Sequence, residues 1–234
     1  MKKSYAEMKK DGRYLNINVN GNKKLKNTNK IRWIIWNLPA EKTCPFSTEM
    51  CRKSCYAKKA ERVYPQCLAS REKNLTDSMS DNFVENMIYT IETELSTNKY
   101  KNKHVVFRIH ESGDFYNLIY ALKWIEIAKY FENRANITFL AYTKSIVFFA
   151  YSGYDTPDFP QNFVVRSSLW KDTAFDKLEM TYRYHFPIYT ALSEKDMQIA
   201  KENGRKFYKC ECIDCSNCRM CWNRTLNEII CEIH

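Results

Sequence analysis

The stretch Ile31-Arg-Trp-Ile-Ile-Trp-Asn-Leu38 decides the fold that the sequence predicts. It is rich in β-branched and aromatic residues, and Pro39 follows it, which is typical of a buried strand that ends at residue 38. A strand that is apolar on both faces belongs to a sheet whose two faces are both covered. The segment therefore predicts the first strand of a parallel α/β sheet.

Similar apolar segments follow along the chain, and helical patterns separate them. Because strands that alternate with helices form parallel β/α units, about six such units predict a partial (β/α)6-like barrel with a C-terminal cysteine-rich metal-binding tail. An open doubly wound sheet is the alternative. The further strands are predicted at 103–110, 136–143, 163–169, 187–192 and 205–209, and the helices from Ser80 or Asp81, over 116–131 and from Ser193 to Gly204.

Three regions are expected within the 234 residues. Residues 1–30 are expected to form an N-terminal hairpin, or an edge strand in its place, and a basic connector, because residues 14–20 alternate in polarity and Gly21 completes an Asn-Gly turn. Residues 31–209 are expected to form the barrel and residues 210–234 the cysteine-rich tail. A chain of this length can bury the core of one such domain.

Three cysteines, Cys44, Cys51 and Cys55, follow the first predicted strand. A loop after the carboxyl end of a strand is a common functional position. The basic N-terminus lacks an apolar signal core and no segment is long enough to cross a membrane, so a cytoplasmic protein is expected. Cysteines in a reducing compartment are more often metal ligands or free thiols than disulfides, which remain the alternative for a secreted protein.

A second group of cysteines lies in the tail. Four of its five members are spaced by two residues, close to the ferredoxin run C-x2-C-x2-C-x3-C. Thiolates at this spacing can hold a [4Fe-4S] cluster, which is the favoured reading, or a tetrahedral zinc ion, and unligated thiols are the third possibility. Cys67 and Cys231 stand apart and are expected to be ordinary buried thiols. The tail group is Cys210, Cys212, Cys215, Cys218 and Cys221.

Polar residues follow the predicted strands, where the carboxyl ends of a parallel sheet collect the chemistry. Side chains there are candidates for polar contacts or proton transfer, and small residues are candidates for cofactor binding. A glycine lets the backbone turn sharply or approach a ligand closely. For His110 and Asp114 the alternatives are a buried histidine and a helix cap. The catalytic candidates are His110, Glu111, Asp114 and Lys144, and the cofactor-binding candidates are Ser112, Gly113 and Ser167.

The formal net charge is +10. Such a charge suits nucleic acid, a nucleotide or another acidic partner. A basic solvated surface is the alternative, because no Arg-rich block or nucleic-acid motif accompanies the charge.

Several of these residues together resemble the phage gene product 88 domain family. The resemblance spans most of the chain and implies a phage or prophage origin, and therefore the cytoplasm of a bacterial host cell. It is carried by Cys44-Pro, Cys51, Cys55-Tyr-Ala, Arg108-Ile-His-Glu-Ser-Gly-Asp-Phe115, Trp124 and Cys215-x2-Cys218-x2-Cys221-Trp222.

More distantly, the layout resembles the radical SAM partial barrel. That resemblance implies that Cys44, Cys51 and Cys55 bind a [4Fe-4S] cluster with one open iron, and that residues 111–114 hold the amino group of S-adenosylmethionine. The loop here is C-x6-C-x3-C, whereas radical SAM loops use C-x3-C-x2-C. No second Gly or Pro completes the acidic motif, so the sequence departs from the pattern where S-adenosylmethionine would bind.

Three functions are therefore expected as alternatives. The first is a [4Fe-4S]-dependent, radical-SAM-like enzyme that acts on a small molecule or nucleotide. The second is a non-catalytic, metal-stabilised phage protein that binds nucleic acid. The third is a scaffold stabilised by zinc.

Overall fold

A parallel sheet of seven strands forms the centre of the fold, curled into a half-barrel. The computed structural model describes residues 3–211, 213–225 and 228–233. The sheet order is β1-β2-β3-β4-β5-β7-β6, and every neighbouring pair is parallel. This confirms the α/β class and the partial barrel. The strands are β1 Ile31–Trp36, β2 His104–Ile109, β3 Ile137–Thr143, β4 Phe163–Leu169, β5 Ile188–Leu192, β6 Tyr208–Cys210 and β7 Glu228–Glu232.

The seventh strand corrects the prediction of six units. Glu228–Glu232 was assigned to the tail, but it inserts between β5 and β6. A five-residue strand that begins and ends with glutamate gives a weak apolar signal. Glu228 is nevertheless buried, because its carboxylate accepts hydrogen bonds from Thr190 at 2.9 Å and from Arg205 Nε at 2.9 Å.

The helices pack mainly on one side of the sheet. The predicted helices appear close to their expected bounds, with Asn82, Asn117 and Ser193 as the N-cap residues. The sequence analysis did not predict the other helices, and the two that follow the first cysteine loop have largely exposed residues. The helices are α1 Tyr5–Lys10, α2 Glu49–Lys53, α3 Tyr56–Val63, α4 Pro65–Met79, α5 Phe83–Leu95, α6 Leu118–Tyr130, α7 Ile146–Ala150, α8 Phe175–Arg183, α9 Glu194–Glu202 and α10 Cys215–Cys218, and a 3-10 turn spans Met220–Trp222.

The segment expected to form an N-terminal hairpin or an edge strand lies beside β1. In the described part of residues 14–20, the pairing is a single antiparallel bridge between Asn18 and Ile35. The Asn18 side chain accepts the backbone N–H of Asn20 at 2.8 Å. Such side-chain bonds compete with a strand ladder, so the alternating segment runs along β1 as an extended connector.

The two faces of the sheet bury different sets of residues. The face toward α5 and α6 holds the main core, in which Trp124 packs on Trp36 and Phe107. The opposite face, called the inner face below, carries a smaller apolar set. The cysteine-rich tail covers this inner face. Members of this set are Leu25, Ile31, Trp33, Ile35, Val106, Leu140 and Val164. Among the described residues, no helix has the length and apolar character needed to cross a bilayer.

Candidate metal centre

The first cysteine loop lies over the carboxyl ends of the strands. It leaves β1 through Pro39 and reaches across to β4, where the Met50 N–H donates to Asp172 at 2.8 Å. On the way the Phe46 ring packs on Phe148, with 5.7 Å between centroids. The loop therefore forms a rim above β1 to β4, which is where the sequence predicted that the chemistry would collect.

A partly buried ion pair fixes the base of this loop. Glu61 of α3 accepts the Ala40 N–H at 2.8 Å and the Arg71 guanidinium at 2.7 Å. Arg71 also donates to the Ala57 carbonyl at 3.2 Å. Because charged hydrogen bonds with well-placed partners are strong, α3 and α4 hold the loop at a defined height above the sheet.

Cys44 is the best-defined thiol of the loop. Burial raises its pKa to about 12, the Asp114 carboxyl adds to the increase, and the Lys144 ammonium opposes it. Cys51 also acts on this pKa and so lies close to Cys44. An unligated Cys44 thiol keeps its proton at neutral pH, so a metal bound there would have to displace that proton.

Asp114 joins the ends of β2 and β3. Its carboxylate accepts hydrogen bonds from the Thr143 hydroxyl and from the backbone N–H groups of Lys144 at 2.9 Å and Phe115 at 2.8 Å. Burial raises its pKa, and the bond from Thr143 is the largest opposing influence. Asn117, and not Asp114, caps α6. The Lys144 ammonium reaches Ser168 at 3.2 Å, so it points across the rim toward β4.

The other predicted rim residues contact the protein itself. Ser112 is buried and donates to the Leu38 carbonyl at 2.9 Å. Ser167 is buried at 2.8 Å from the Thr181 hydroxyl of α8, on the helix side of the sheet. Glu111 accepts a side-chain bond from Asn22. The assignment of these residues to cofactor binding or catalysis stays a prediction.

His110 points into the helix-side core. Its Nε2 lies 2.9 Å from the Tyr120 hydroxyl, and its ring packs against Phe115 with 4.7 Å between centroids. Burial lowers its pKa well below the usual 6.5, and the charge of Arg108 acts in the same direction. The folded protein therefore holds His110 as a neutral imidazole.

This burial predicts a pH dependence of stability. Below pH 6.5 the unfolded chain binds a proton at His110 that the folded chain does not, so the free energy of unfolding should fall by up to about 1.4 kcal/mol per pH unit. The substitution His110→Asn, which tolerates the positive φ of 63° at this position, should make that slope shallower. Urea titrations at pH 5 and pH 7 measure it.

His185→Asn is the matched control, because His185 also has a positive φ, of 51°, and its ring is exposed. It should keep the wild-type acid slope. Equal slopes in the two variants and the wild type would contradict the assignment.

The tail forms the second candidate site, on the inner face. Four described thiols line one pocket of about 380 Å³, together with aromatic and apolar side chains from β1 and β3. Trp33 donates through Nε1 to Ser216 at 2.8 Å, and the Trp222 ring packs 5.2 Å from the Trp33 ring, so the tail is fixed to β1. The thiols are those of Cys210, Cys215, Cys218 and Cys221. Cys212 lies outside the described residues.

Arg166 holds the tail to β4. Its side chain is fully buried and donates to three tail carbonyls: Cys221 at 2.6 Å, Asn223 at 2.7 Å and Met220 at 3.1 Å. Backbone carbonyls of an irregular loop have no hydrogen-bond partners on a neighbouring strand. The Arg166 guanidinium supplies the donors that such a strand would otherwise provide.

Arg166→Met is therefore expected to loosen the tail. Buried carbonyls left without donors cost about 1–3 kcal/mol, and we expect a loss of about 2 kcal/mol in unfolding free energy. Amide exchange at residues 213–225 should rise more than exchange in β1 to β4. Arg183→Met, on the exposed side of α8, is the control and should change neither quantity. Unchanged tail exchange in Arg166→Met would contradict this role.

Sequence reasoning missed the polar residues of the inner face. Arg108 of β2 lies with its guanidinium 3.8 Å from the centre of the Tyr142 ring, and both line the tail pocket. The Arg108 Nη1 atom is buried and has no hydrogen-bond partner among the described residues. A signal was present, because Arg108 and Arg166 each follow directly on a run of apolar residues within a strand.

The described thiols show neither disulfides nor a closed ion site. None of the nine described cysteines forms a disulfide. Within residues 3–211, 213–225 and 228–233, no three His, Cys, Asp or Glu side chains lie close enough together to hold a single ion. A cluster spreads its thiolate ligands over several irons, so the donor chemistry of the pocket is compatible with one. Metal binding by the tail stays a prediction.

Comparison with known proteins identifies relatives but no structural template. The model of a family described as gene product 88 matches residues 14–224. A relative, the gene 88 protein of Mycobacterium phage D29, is 28% identical over 110 residues, and this match covers 44% of the chain and 42% of the relative. The chain thus matches less than half of that relative's length. No solved structure matches the chain, and the likeness to the radical SAM barrel is not confirmed.

Proposed function

The chain belongs to the gene product 88 family, and from this premise and the thiol-lined pocket we propose that it is a phage or prophage iron–sulfur protein. It acts in the reducing cytoplasm of the bacterial host, where thiols stay available for ligation. The [4Fe-4S] cluster is held in the pocket on the inner face, and the tail cysteines are its ligands.

The convergence of four thiols carries this proposal. Cys210 comes from β6, Cys215 and Cys218 from α10 and Cys221 from the following turn, yet all four line the same cavity. Cysteine thiolates are the usual ligands of [4Fe-4S] clusters. The volume of about 380 Å³ leaves room for a group larger than a single ion.

The remaining walls of the pocket suit a negatively charged cluster. Trp33, Leu140 and Trp222 supply apolar surface that limits the access of water. Arg108 and Arg166 place two positive charges beside Cys221, and both oppose the increase that burial causes in its pKa. Positive charge favours the thiolate that a metal requires. A bound cluster would supply one-electron chemistry or an open iron for a ligand.

The rim above β1 to β4 would supply the substrate-binding groups of an enzyme. Cys44, Cys51 and Cys55 are proposed as ligands of a second metal group, and Asp114 and Lys144 lie close to Cys44. A small molecule or nucleotide bound there would meet a carboxylate and an ammonium. S-adenosylmethionine binding is not part of the proposal, because the acidic motif is incomplete.

Metal and sulfide analysis of the protein, purified under anaerobic conditions, tests the proposal. We expect about four irons and four sulfides for each cluster, with broad absorbance from thiolate-to-iron charge transfer. Stoichiometric zinc without iron would show that the pocket holds a structural zinc ion and not a cluster, and would overturn the proposal.

One observation favours nucleic-acid binding as a second function. Helix α3 is basic and exposes aromatic rings at both ends, with Tyr56 67% and Tyr64 55% exposed. Exposed aromatics beside Lys and Arg are typical of surfaces that bind single strands. Lys59 and Arg62 of this helix are exposed.

The double substitution Lys59→Ala with Arg62→Ala tests that function. If α3 contacts two phosphates, binding to a single-stranded oligonucleotide should weaken and the salt slope should fall by about 2. Lys195→Ala with Lys201→Ala removes the same charge from exposed positions of α9 and should leave the slope unchanged. Equal binding by both double variants would exclude α3 as the contact surface.

A further inference from the structure

Tyrosine hydroxyls lie against two of the tail thiols. The Tyr208 hydroxyl is 3.8 Å from the Cys218 sulfur. The Tyr142 hydroxyl lies close enough to the Cys221 thiol for each group to influence the pKa of the other. Both tyrosines line the pocket, one from β6 and one from β3, so they approach the thiols from two different strands.

Tyr142 is held rigidly in this position. The Arg108 guanidinium covers one side of its ring at 3.8 Å, and the Tyr189 ring packs edge-on with 4.6 Å between centroids. Cys221 is held in place as well, because its backbone carbonyl accepts a hydrogen bond from Arg166 at 2.6 Å.

Hydrogen bonds to cluster sulfurs influence the reduction potential. Reduction adds one electron, and much of its charge is carried by the sulfurs. A donor bonds more strongly to the sulfur of the reduced cluster than to that of the oxidised cluster. Fixed donors therefore stabilise the reduced state and raise the potential.

We propose that Tyr208 and Tyr142 are positioning residues that donate hydrogen bonds to the cluster thiolates of Cys218 and Cys221 and raise the reduction potential of the cluster. The inference rests on the proposed function. The step is the gain of one electron by the oxidised cluster from a low-potential reductant such as dithionite, and no bond is broken and no proton moves.

The test is a reductive titration of the cluster-loaded full chain. Tyr208→Phe and Tyr142→Phe each remove one hydroxyl and keep the ring. Each should shift the midpoint potential to a more negative value, equivalent to a reduction about threefold to tenfold less favourable, with iron content unchanged. The double variant should show the larger shift. Tyr182→Phe, on the exposed face of α8, is the control and should titrate as the wild type does.

The outcomes distinguish the role of the two tyrosines from the presence of the cluster. A loaded cluster with the wild-type potential in both variants overturns the role of the tyrosines and leaves the cluster standing. A wild-type chain without iron overturns both. Tyr208 lies on the edge strand β6 and is only half-buried, so its variant gives a result even if Tyr142→Phe fails to fold.

Discussion

Cys215→Ser and Cys218→Ser are each expected to lose the iron and the absorbance of the tail cluster and to keep only what belongs to the rim. Each substitution removes one of the four described thiols in the pocket, and a serine hydroxyl is a poor replacement for a thiolate as a ligand of iron. The iron of the tail cluster should fall more than tenfold, because a cluster with a missing ligand is exposed to water and breaks down. Iron analysis and absorbance after anaerobic purification measure it.

Two further cysteine variants locate the iron. Cys67→Ser changes a half-buried thiol of α4 that lies in neither cysteine group, and it should keep all the iron. Cys44→Ser should remove only the iron that belongs to the rim. If Cys218→Ser kept all of its iron and Cys44→Ser kept none, the cluster would have to lie at the rim and not on the inner face.

Gly113→Ala is expected to cost about 4 kcal/mol of unfolding free energy, from backbone strain and overpacking together. Gly113 has a φ of +81°, which side chains rarely adopt. A Cβ atom there would lie 2.6 Å from the Thr43 hydroxyl, 2.7 Å from the Leu38 Cβ and 3.0 Å from the Leu38 carbonyl. The loop after β1 and the turn after β2 would have to separate. Urea unfolding should show the loss.

Gly204→Ala separates the two causes. Gly204 has a similar φ of +75°, but no atom lies within 4 Å of the position that its Cβ would take. This variant should cost only about 1 kcal/mol, from strain alone. Equal losses in the two variants would show that the approach of Leu38 to Gly113 contributes nothing.

The apolar strands were predictable because the sheet buries both of their faces. Ile31–Trp36 and Phe163–Leu169 are buried almost throughout, and such segments stand out in any chain. The Ser193 cap was predictable for a local reason, since its hydroxyl accepts the Asp196 N–H three residues later at 3.1 Å.

The candidate site was only partly predictable. Spacing grouped the tail cysteines, but it contains nothing about Arg166, whose three bonds to the tail join residues 54 to 57 positions apart. The direction of the His110 side chain was equally hidden, because it depends on a positive φ at the end of β2. Hydrogen bonds between residues far apart in the chain, and the backbone angle of a single residue, produce no repeating pattern in a sequence.

The order of the strands at one edge has a consequence for how the chain folds. Among the described residues, β6 pairs with β7 alone, although β7 lies about twenty residues later in the chain. Until β7 has joined β5, β6 has no strand to pair with, and the cysteines that follow β6 have no finished wall behind them. We expect this edge to complete the sheet last, because β6 can join only after β7.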